Sequence, residues 1–343
     1  MNDPKNNNCF ITAYPVAYAR NFCGRYVFGF AAFALLICAV FLLRPVRICA
    51  ATPTYSFSQV SAEPDSVTLN WSFSNTDEIT FTDLSLTYGT NTVDQVDTVT
   101  IPSVTNTSCT LTGLDEGTVY YIRLLYEFYY NENPDVTYSG STSAITAGTI
   151  PSDKPSWIKY DFGKSQKSLR VSWDAIGCDY QIRYQYQLKN RNGKLLKEAI
   201  VSSCPITFKD YYKQPYTFRV RSVAVIAGKV YYGPWSAVKK IVPQPLLAAS
   251  TKKNRITKQK TMKLSWSKVY GASGYKIYIS TKRNSGFTCV KTVKSKVLSV
   301  TLKTYKKKKF KFNKPYYVKV VATTKKYGAS NLNYGLKLIL KYK

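Results

Sequence analysis

Three short stretches decide the fold of this chain: Val67-Thr-Leu-Asn-Trp71, Leu169-Arg-Val-Ser-Trp173 and Met262-Lys-Leu-Ser-Trp266. Each alternates apolar with polar residues and ends on tryptophan, a pattern typical of a β-strand with one face in a core. Three such stretches spread along the chain indicate one structural unit that is used three times.

A tyrosine-bearing strand follows each tryptophan: Val119-Tyr-Tyr-Ile-Arg-Leu124, Pro215-Tyr-Thr-Phe-Arg-Val220 and Pro315-Tyr-Tyr-Val-Lys-Val320. The runs around them are rich in Val, Ile, Thr, Tyr and Phe and are separated by Gly, Pro, Asn, Asp or Ser clusters, which predicts short strands. No sustained helical periodicity follows Leu43. The sequence therefore predicts an all-β chain of three two-sheet sandwiches, each with about seven strands.

Charge divides the chain at the same borders. We predict modules at 52–150, 151–245 and 246–343, and we call these ranges the acidic, middle and lysine-rich segments. The acidic segment has 12 acids and one base, the middle segment 17 bases and 6 acids, and the lysine-rich segment 24 Lys, two Arg and no acid. The formal net charge of the chain is +30. A distribution this uneven predicts a charged partner.

The three units resemble fibronectin type III domains, and the third is similar to modules common in secreted bacterial surface proteins. The resemblance implies three tandem immunoglobulin-like sandwiches that act in binding or spacing. Because this fold hosts many roles, the resemblance names no ligand. The residues that match the early tryptophan and the late tyrosine of the family are Trp71, Trp173, Trp266, Tyr120, Tyr216 and Tyr316.

Residues 1–51 precede the first predicted module and contain an apolar run. No residue from Tyr26 to Leu43 is charged, and a run of this length is at the lower limit for crossing a bilayer. Cys49-Ala50-Ala51 offers small residues where a signal peptidase cleaves. We expect a hydrophobic signal or anchor helix, either cleaved near Ala51 or retained through residues 26–43. Both alternatives predict an exported protein at the cell surface or in the medium.

Composition argues against catalysis. The chain has no histidine, which excludes Ser-His-Asp and Cys-His triads and imidazole metal sites. Carboxylate pairs such as Asp115-Glu116 fall in predicted turns, where a small sandwich has little room for a substrate cleft. We expect a non-enzymatic protein with no catalytic residue, no cofactor and no metal site.

Two further sets of residues attract attention in the middle segment. Cys178 and Cys204 lie in loops that this sandwich places at one end, so after export they can form a disulfide, although two separate thiols fit equally well. Gly233-Pro-Trp235-Ser236 resembles half of the Trp-Ser box of cytokine-receptor modules. Arg219 and Arg221 alternate on the preceding strand, so we predict cation–π contacts with Trp235 that serve local packing more than a receptor surface.

Lysines are expected to cover one face of the lysine-rich segment. Its apolar strand residues point inward in a sandwich, which turns the intervening lysines outward. The scarcity of arginine favours attraction between point charges and disfavours sequence-specific nucleic-acid binding. The predicted polyanion-binding residues are Lys276, Lys306, Lys307, Lys308, Lys309, Lys319, Lys337 and Lys341.

These observations predict an exported spacer or binding protein whose lysine-rich segment docks electrostatically on an anionic cell-wall or membrane polymer. Surface solubility is the simpler explanation of the lysines. Two alternatives stay open. The first is that the chain is a spacer of extracellular carbohydrate-active machinery, which an exposed aromatic platform would favour. The second is that it is a head-to-tail adhesin, in which weak homo-association joins the acidic and lysine-rich ends.

Overall fold

The structure, a computed structural model, describes residues 52–93, 96–163, 167–248 and 253–330 and the backbone of 336–338. The regular secondary structure of these residues consists of β-strands, which confirms the predicted all-β class. No transmembrane helix is found in the described part of the chain. The predicted signal or anchor segment, residues 1–51, lies outside it.

The acidic segment forms two sheets around one core. Its strands are β1 (Thr54–Ala62), β2 (Ser66–Ser74), β3 (Ile79–Gly89), β4 (Asp97–Thr100), β5 (Ser108–Thr112), β6 (Val119–Tyr130), β7 (Asn133–Ser141) and β8 (Ile145–Gly148). One sheet has the order β1-β2-β5 and the other β4-β3-β6-β7, with β8 also paired to β6. Trp71 on the first sheet and Leu86 on the second belong to the same buried cluster. The two sheets therefore pack as the layers of a sandwich.

The middle segment repeats this arrangement with shorter strands. They are β9 (Lys159–Asp161), β10 (Leu169–Ser172), β11 (Arg183–Asn190), β12 (Leu195–Val201), β13 (Ile206–Phe208), β14 (Tyr216–Ile226), β15 (Lys229–Tyr232) and β16 (Lys239–Ile241). The sheets have the orders β13-β10-β9 and β12-β11-β14-β15, and β16 also pairs with β14. Trp173 and Phe218, from opposite sheets, stack with ring centroids 5.9 Å apart in the core between them.

The lysine-rich segment has the same order and one additional hairpin. Its strands are β17 (Arg255–Ile256), β18 (Met262–Ser265), β19 (Gly274–Ser280), β20 (Thr288–Lys294), β21 (Ser299–Leu302), β22 (Thr304–Tyr305), β23 (Lys308–Lys309), β24 (Tyr316–Thr324), β25 (Gly328–Ala329) and β26 (Leu336–Leu338). The sheets are β17-β18-β21 and β20-β19-β24-β25, with β26 on β24, and β22 pairs with β23. Trp266 and Tyr275 lie in their common core.

Each of the three segments has a core of its own. Their buried apolar residues form separate clusters in the described chain, and each draws on both sheets of one segment. Val242 is the exception, because it packs with the core of the lysine-rich segment while its neighbour Ile241 packs with that of the middle segment. The strand order, three strands against four or five, fits a fibronectin type III-like sandwich.

One hydrogen-bonded pair recurs at the same place in all three segments. The last strand is split in two in each segment, and the hydroxyl of a buried Ser or Thr in the split accepts a backbone N–H from the neighbouring long strand. The backbone N–H of the same Ser or Thr donates to the carbonyl of that long-strand residue. We call each such pair a hydroxyl bridge. The bridges are Thr142–Leu124, Ser236–Val220 and Ser330–Ala322, with hydroxyl distances of 3.0 Å in each.

Two of the late tyrosines make the same hydrogen bond. The hydroxyl of Tyr120 accepts the backbone N–H of Asp115 at 2.8 Å, and that of Tyr316 accepts the N–H of Lys311 at 3.1 Å. Burial raises the pKa of Tyr216, their counterpart, to about 12. This contact ties the turn before the strand to the strand itself, as a tyrosine corner does.

The acidic and middle segments meet through apolar and polar contacts. Ala62 and Ile150 of the acidic segment form a small buried cluster with Ala224 and Ile226 of the middle segment. Across the same junction, the hydroxyl of Tyr180 donates to the carbonyl of Thr149 at 2.7 Å. The N–H of Asp179 donates to the carbonyl of Gly117 at 3.1 Å, and Lys229 Nζ donates to the backbone carbonyl of Gln59 at 2.6 Å. A side chain at Gly117 would have its Cβ 2.8 Å from that of Cys178, so glycine permits this close approach.

The middle and lysine-rich segments meet through the side chain of Val242 and through hydrogen bonds to backbone carbonyls. The N–H of Tyr270 donates to the carbonyl of Lys213 at 2.8 Å, and the hydroxyl of Tyr327 donates to the carbonyl of Arg191 at 2.9 Å. Both acceptors are backbone carbonyls of the middle segment.

Candidate functional site

Two arginines of β14 lie against one tryptophan, as the sequence predicts. The guanidinium carbons of Arg219 and Arg221 are 4.1 and 4.6 Å from the centre of the Trp235 ring. Arg221 also lies 3.8 Å from the centre of the Tyr232 ring. These distances are within cation–π range. We call this group the arginine–tryptophan stack.

Glutamines of β11 fix the edges of the same guanidinium groups. Arg219 donates from Nε and Nη2 to Gln187 Oε1 at 2.9 and 2.7 Å, and Arg221 Nε donates to Gln185 Oε1 at 2.7 Å. Both glutamines donate in turn to Glu198 Oε1 on β12. Burial lowers the pKa of Arg221. Because ring faces and amides already engage these arginines, the stack is built to join three strands rather than to receive an anion.

The four consecutive lysines lie in a tight hairpin. Lys306 and Lys307 form the two-residue turn between β22 and β23, with φ values of +50° and +64°. Positive φ at both turn positions is the hairpin geometry that glycine and asparagine usually supply. Lys308 and Lys309 follow on β23, and all four side chains are exposed. The hairpin therefore carries four exposed lysines on consecutive residues, and we call it the lysine hairpin.

Lys319 corrects one prediction. The alternation on β24 does turn it away from the core between the sheets, but its side chain is only 7% exposed. Phe287, in the connection after β19, covers it, and Lys319 Nζ lies 4.2 Å from the centre of that ring. Burial lowers the pKa of Lys319. An outward direction on a strand does not ensure contact with solvent when a neighbouring loop carries an aromatic residue.

The remaining predicted lysines lie on the sheet that contains β24 or outside the residues that the structure describes. Lys276 on β19 is exposed, and its register partner on β24 is Val321. Lys337 lies on β26 opposite Tyr317, but its side chain is outside the described residues, and so is all of Lys341. The strands β19, β24 and β26 are neighbours, as expected. The structure thus separates the exposed positions, Lys276 and the lysine hairpin, from buried Lys319.

Cys178 and Cys204 are free thiols in the structure. Cys178 Sγ donates to the carbonyl of Tyr180 at 2.8 Å beside the junction with the acidic segment, whereas Cys204 Sγ donates to the carbonyl of Trp173 at 3.3 Å. Burial raises the pKa of the Cys178 thiol. The two sulfurs have separate backbone partners, and the predicted disulfide between them stays a prediction.

The carboxylates of the acidic segment serve local structure where contacts are seen. Glu116 Oε2 accepts the backbone N–H of Ser152 at 2.9 Å, and this bond lowers the pKa of Glu116. Among the residues described, no three His, Cys, Asp or Glu side chains lie close enough to hold a metal ion. The contact of Glu116 fastens the start of the middle segment to a turn of the acidic one.

Trp157 has no predicted role, and the structure places it at the surface. Its side chain is 71% exposed, and its φ of +47° is a backbone conformation that bulky residues rarely adopt. Trp71, Trp173 and Trp266 are buried. The sequence contains one indication of this difference. Trp157 follows Pro155-Ser and lies outside the alternating apolar pattern that ends on each of the three buried tryptophans.

Comparison with known proteins adds little to this picture. No protein-family model matches the sequence, and no curated protein does. A crystal structure of the FN1–FN3 domains of chicken CNTN1 is similar over 84% of this chain and 98% of that chain, with 16% sequence identity and a TM-score of 0.27. A score this low supports no inference about what the present chain binds.

Proposed function

We propose that the chain is a non-enzymatic surface protein of three tandem fibronectin type III-like modules, bounded as predicted at 52–150, 151–245 and 246–343. Its role is binding or spacing, and its lysine-rich module docks on an anionic envelope polymer. The sequence-derived export signal or anchor in residues 1–51 supports placement at the cell surface.

The lysine hairpin is the observation that carries the docking proposal. Four consecutive exposed lysines lie in and directly after a two-residue turn, in a segment without a single acid. Close ammonium groups repel one another unless an anion lies between them, so a polymer with repeated phosphates or carboxylates would relieve that repulsion. Ammonium groups act as point charges, which suits a polymer without a fixed register.

A charge-matched pair of variants tests this proposal on the full chain. The variant K306Q/K307Q/K308Q/K309Q removes the lysine hairpin, and K194Q/K197Q/K209Q/K213Q removes four exposed lysines of the middle segment. With linear inorganic polyphosphate as the probe at low salt, we expect the hairpin variant to bind about tenfold more weakly, with a shallower salt dependence. The control is expected to bind within about threefold of the unchanged chain. Equal losses in both variants would show that only net charge matters and would overturn a specific docking site.

The alternative role in carbohydrate-active machinery gains support from one observation. An exposed aromatic platform favours that role, and Trp157 is such a residue. Head-to-tail association rests on the opposite charges of the acidic and lysine-rich segments alone. Sedimentation at fixed ionic strength distinguishes it from polymer docking, because self-association weakens on dilution and docking on an immobilised polymer does not depend on a second copy.

A further inference from the structure

An open cleft of about 530 Å³ lies beside Trp157 on the middle segment. Its lining comes from the start of the segment and from the end, where residues 237–239 lead into β16. The residues that line it are Lys154, Pro155, Ser156, Trp157, Ile158, Lys159, Ala237, Val238 and Lys239. We call this the Trp157 cleft.

The backbone on both sides of Trp157 is anchored, which holds the indole toward solvent. Pro155 and Ile158 are buried, and the carbonyl of Ser156 accepts the N–H of Asp174 at 3.2 Å. A positive φ at a tryptophan is unfavourable, and such conformations persist only where the surroundings impose them, often at binding sites. The exposed ring also leaves a large apolar surface in water, which a folded protein commonly uses for recognition.

Cations surround the apolar floor of the cleft. Val238 is 56% exposed beside the ring, and Lys159 Nζ lies 5.9 Å from the ring centre. Lys154 and Lys239 are the other charged residues of the lining, which includes no acid. An exposed aromatic ring in a lining with three lysines and no acid matches a ligand that has both an apolar face and negative charge.

The strand edges beside the cleft argue against an added peptide strand. β9 is the outer strand of its sheet, but it begins at Lys159, and Pro155 precedes it. On the other side, β16 begins at Lys239. Proline and lysine at sheet edges are the usual protection against pairing with another strand. A sugar polymer has no need of a strand edge, because the C–H face of a pyranose packs on an indole.

A second, smaller cavity extends the cationic surface. It measures about 80 Å³, shares Val238 with the Trp157 cleft, and has Lys189 in its lining. A ligand that crossed Val238 would meet positive groups along its length. This continuity favours a polymer over a single sugar.

We propose that the Trp157 cleft binds a linear polysaccharide that carries uronic acid carboxylates, with a sugar ring stacked on Trp157 and carboxylates near Lys154, Lys159 and Lys239. This site is separate from the lysine hairpin, since its lining comes from the middle segment alone. It adds a specific ligand class to the docking function and does not depend on it.

The test uses the full chain and polygalacturonate, a homopolymer of a uronic acid. The variant W157G removes the ring and accepts the positive φ, so we expect stability to be unchanged or raised. Y270A is the matched control, because Tyr270 is a half-exposed aromatic residue of the lysine-rich segment. We expect polygalacturonate to shield Trp157 fluorescence from acrylamide and W157G to bind at least about tenfold more weakly. Y270A is expected to bind like the unchanged chain.

Three further measurements make the proposal falsifiable. Equal affinity in W157G and the unchanged chain would overturn the site, and equal affinity for fully methyl-esterified polygalacturonate would overturn the role of the carboxylates. Binding of poly-L-glutamate with the same dependence on Trp157 would show that the partner is an acidic peptide and overturn the sugar. Repeating the titration in K306Q/K307Q/K308Q/K309Q separates the two proposals, because the dependence on Trp157 should survive there even if docking by the lysine hairpin fails.

Discussion

Arg219 of the middle segment and Lys319 of the lysine-rich segment occupy equivalent places, each three residues after the late tyrosine of its strand. Arg123 occupies the same place in the acidic segment. Arg123 is exposed, Arg219 is half-buried against Trp235, and Lys319 is buried beneath Phe287. The strands and their registers are alike, so the difference comes from what the neighbouring loop places over the cation.

The chemistry of the two cations accounts for their partners. The guanidinium of Arg219 offers a flat face to the indole and an edge to the Gln187 amide. The ammonium of Lys319 has no flat face or fork, and burial under Phe287 lowers its pKa. Arginine can therefore be built into a sheet surface at little cost in hydration, whereas buried lysine is destabilising in its charged form.

Among the substitutions that test this comparison, removal of the Trp235 ring should have the largest effect on stability. In Trp235→Ala, two guanidinium groups lose their aromatic partner at once, and each such contact contributes on the order of 0.5–2 kcal/mol. We expect the free energy of opening of β14 to fall by about 2 kcal/mol, measured as faster hydrogen exchange of its amides. Unchanged exchange in β14, with β24 as the internal reference, would contradict the contribution of the stack.

The hydroxyl bridge offers a feature that does not differ between segments. Ser236→Ala leaves the buried N–H of Val220 without its acceptor, which is expected to cost about 1–2 kcal/mol. Ser330→Ala should cost a similar amount through Ala322, because the two bridges have the same 3.0 Å hydroxyl distance. Local hydrogen exchange at Val220 and Ala322 measures both. A large loss in one segment alone would show that the bridges are not equivalent.

Replacing the buried lysine should stabilise the fold at neutral pH. Lys319→Met keeps the contact with Phe287 and removes a charge whose folded pKa lies below its ordinary value of 10.5. The folded state therefore binds fewer protons between the lowered pKa and 10.5, so the stability of the unchanged chain rises with pH in that window. We therefore expect a gain in the free energy of unfolding at pH 7 that fades as the pH approaches 10.5. Thermal unfolding at several pH values measures it, and a gain independent of pH would contradict desolvation as its cause.

Replacing the exposed arginine, Arg123, should have the smallest effect on the free energy of unfolding. Arg123 lies on the solvent side of β6, opposite Thr87. Arg123→Met is expected to change the free energy of unfolding by less than about 0.5 kcal/mol, as is usual for surface substitutions. The same substitution at Arg219 is the paired measurement, and it should cost more because the stack and the Gln187 bonds are lost. Equal effects at both positions would remove the distinction between exposed and stacked cations.

Sequence patterns sufficed for the strands, because alternation places Trp71, Leu69 and Val67 in one core whatever the loops do. Alternation also placed Arg219 and Arg221 on one face, since residues two apart on a strand share a face, and the resemblance to half a Trp-Ser box predicted Trp235 beside them. Sequence patterns could not foresee Phe287 over Lys319 or the hydroxyl bridges, which join residues from different strands. The exposure of Trp157 was not predicted for a related reason. It follows from a local backbone conformation that the hydrophobic pattern of the sequence does not indicate.

The junctions between segments have a mechanical consequence. In the proposed function the chain is held at one end and attached to a surface at the other, and such a chain is under tension whenever the surface moves. The junction of the acidic and middle segments holds an apolar cluster and several hydrogen bonds. The middle and lysine-rich segments are joined by Val242 and by the bonds of Tyr270 to Lys213 and of Tyr327 to Arg191. Because fewer hydrogen bonds join it, the second junction is expected to yield first under a pulling force, so that it acts as a compliant joint and the first as a stiff one.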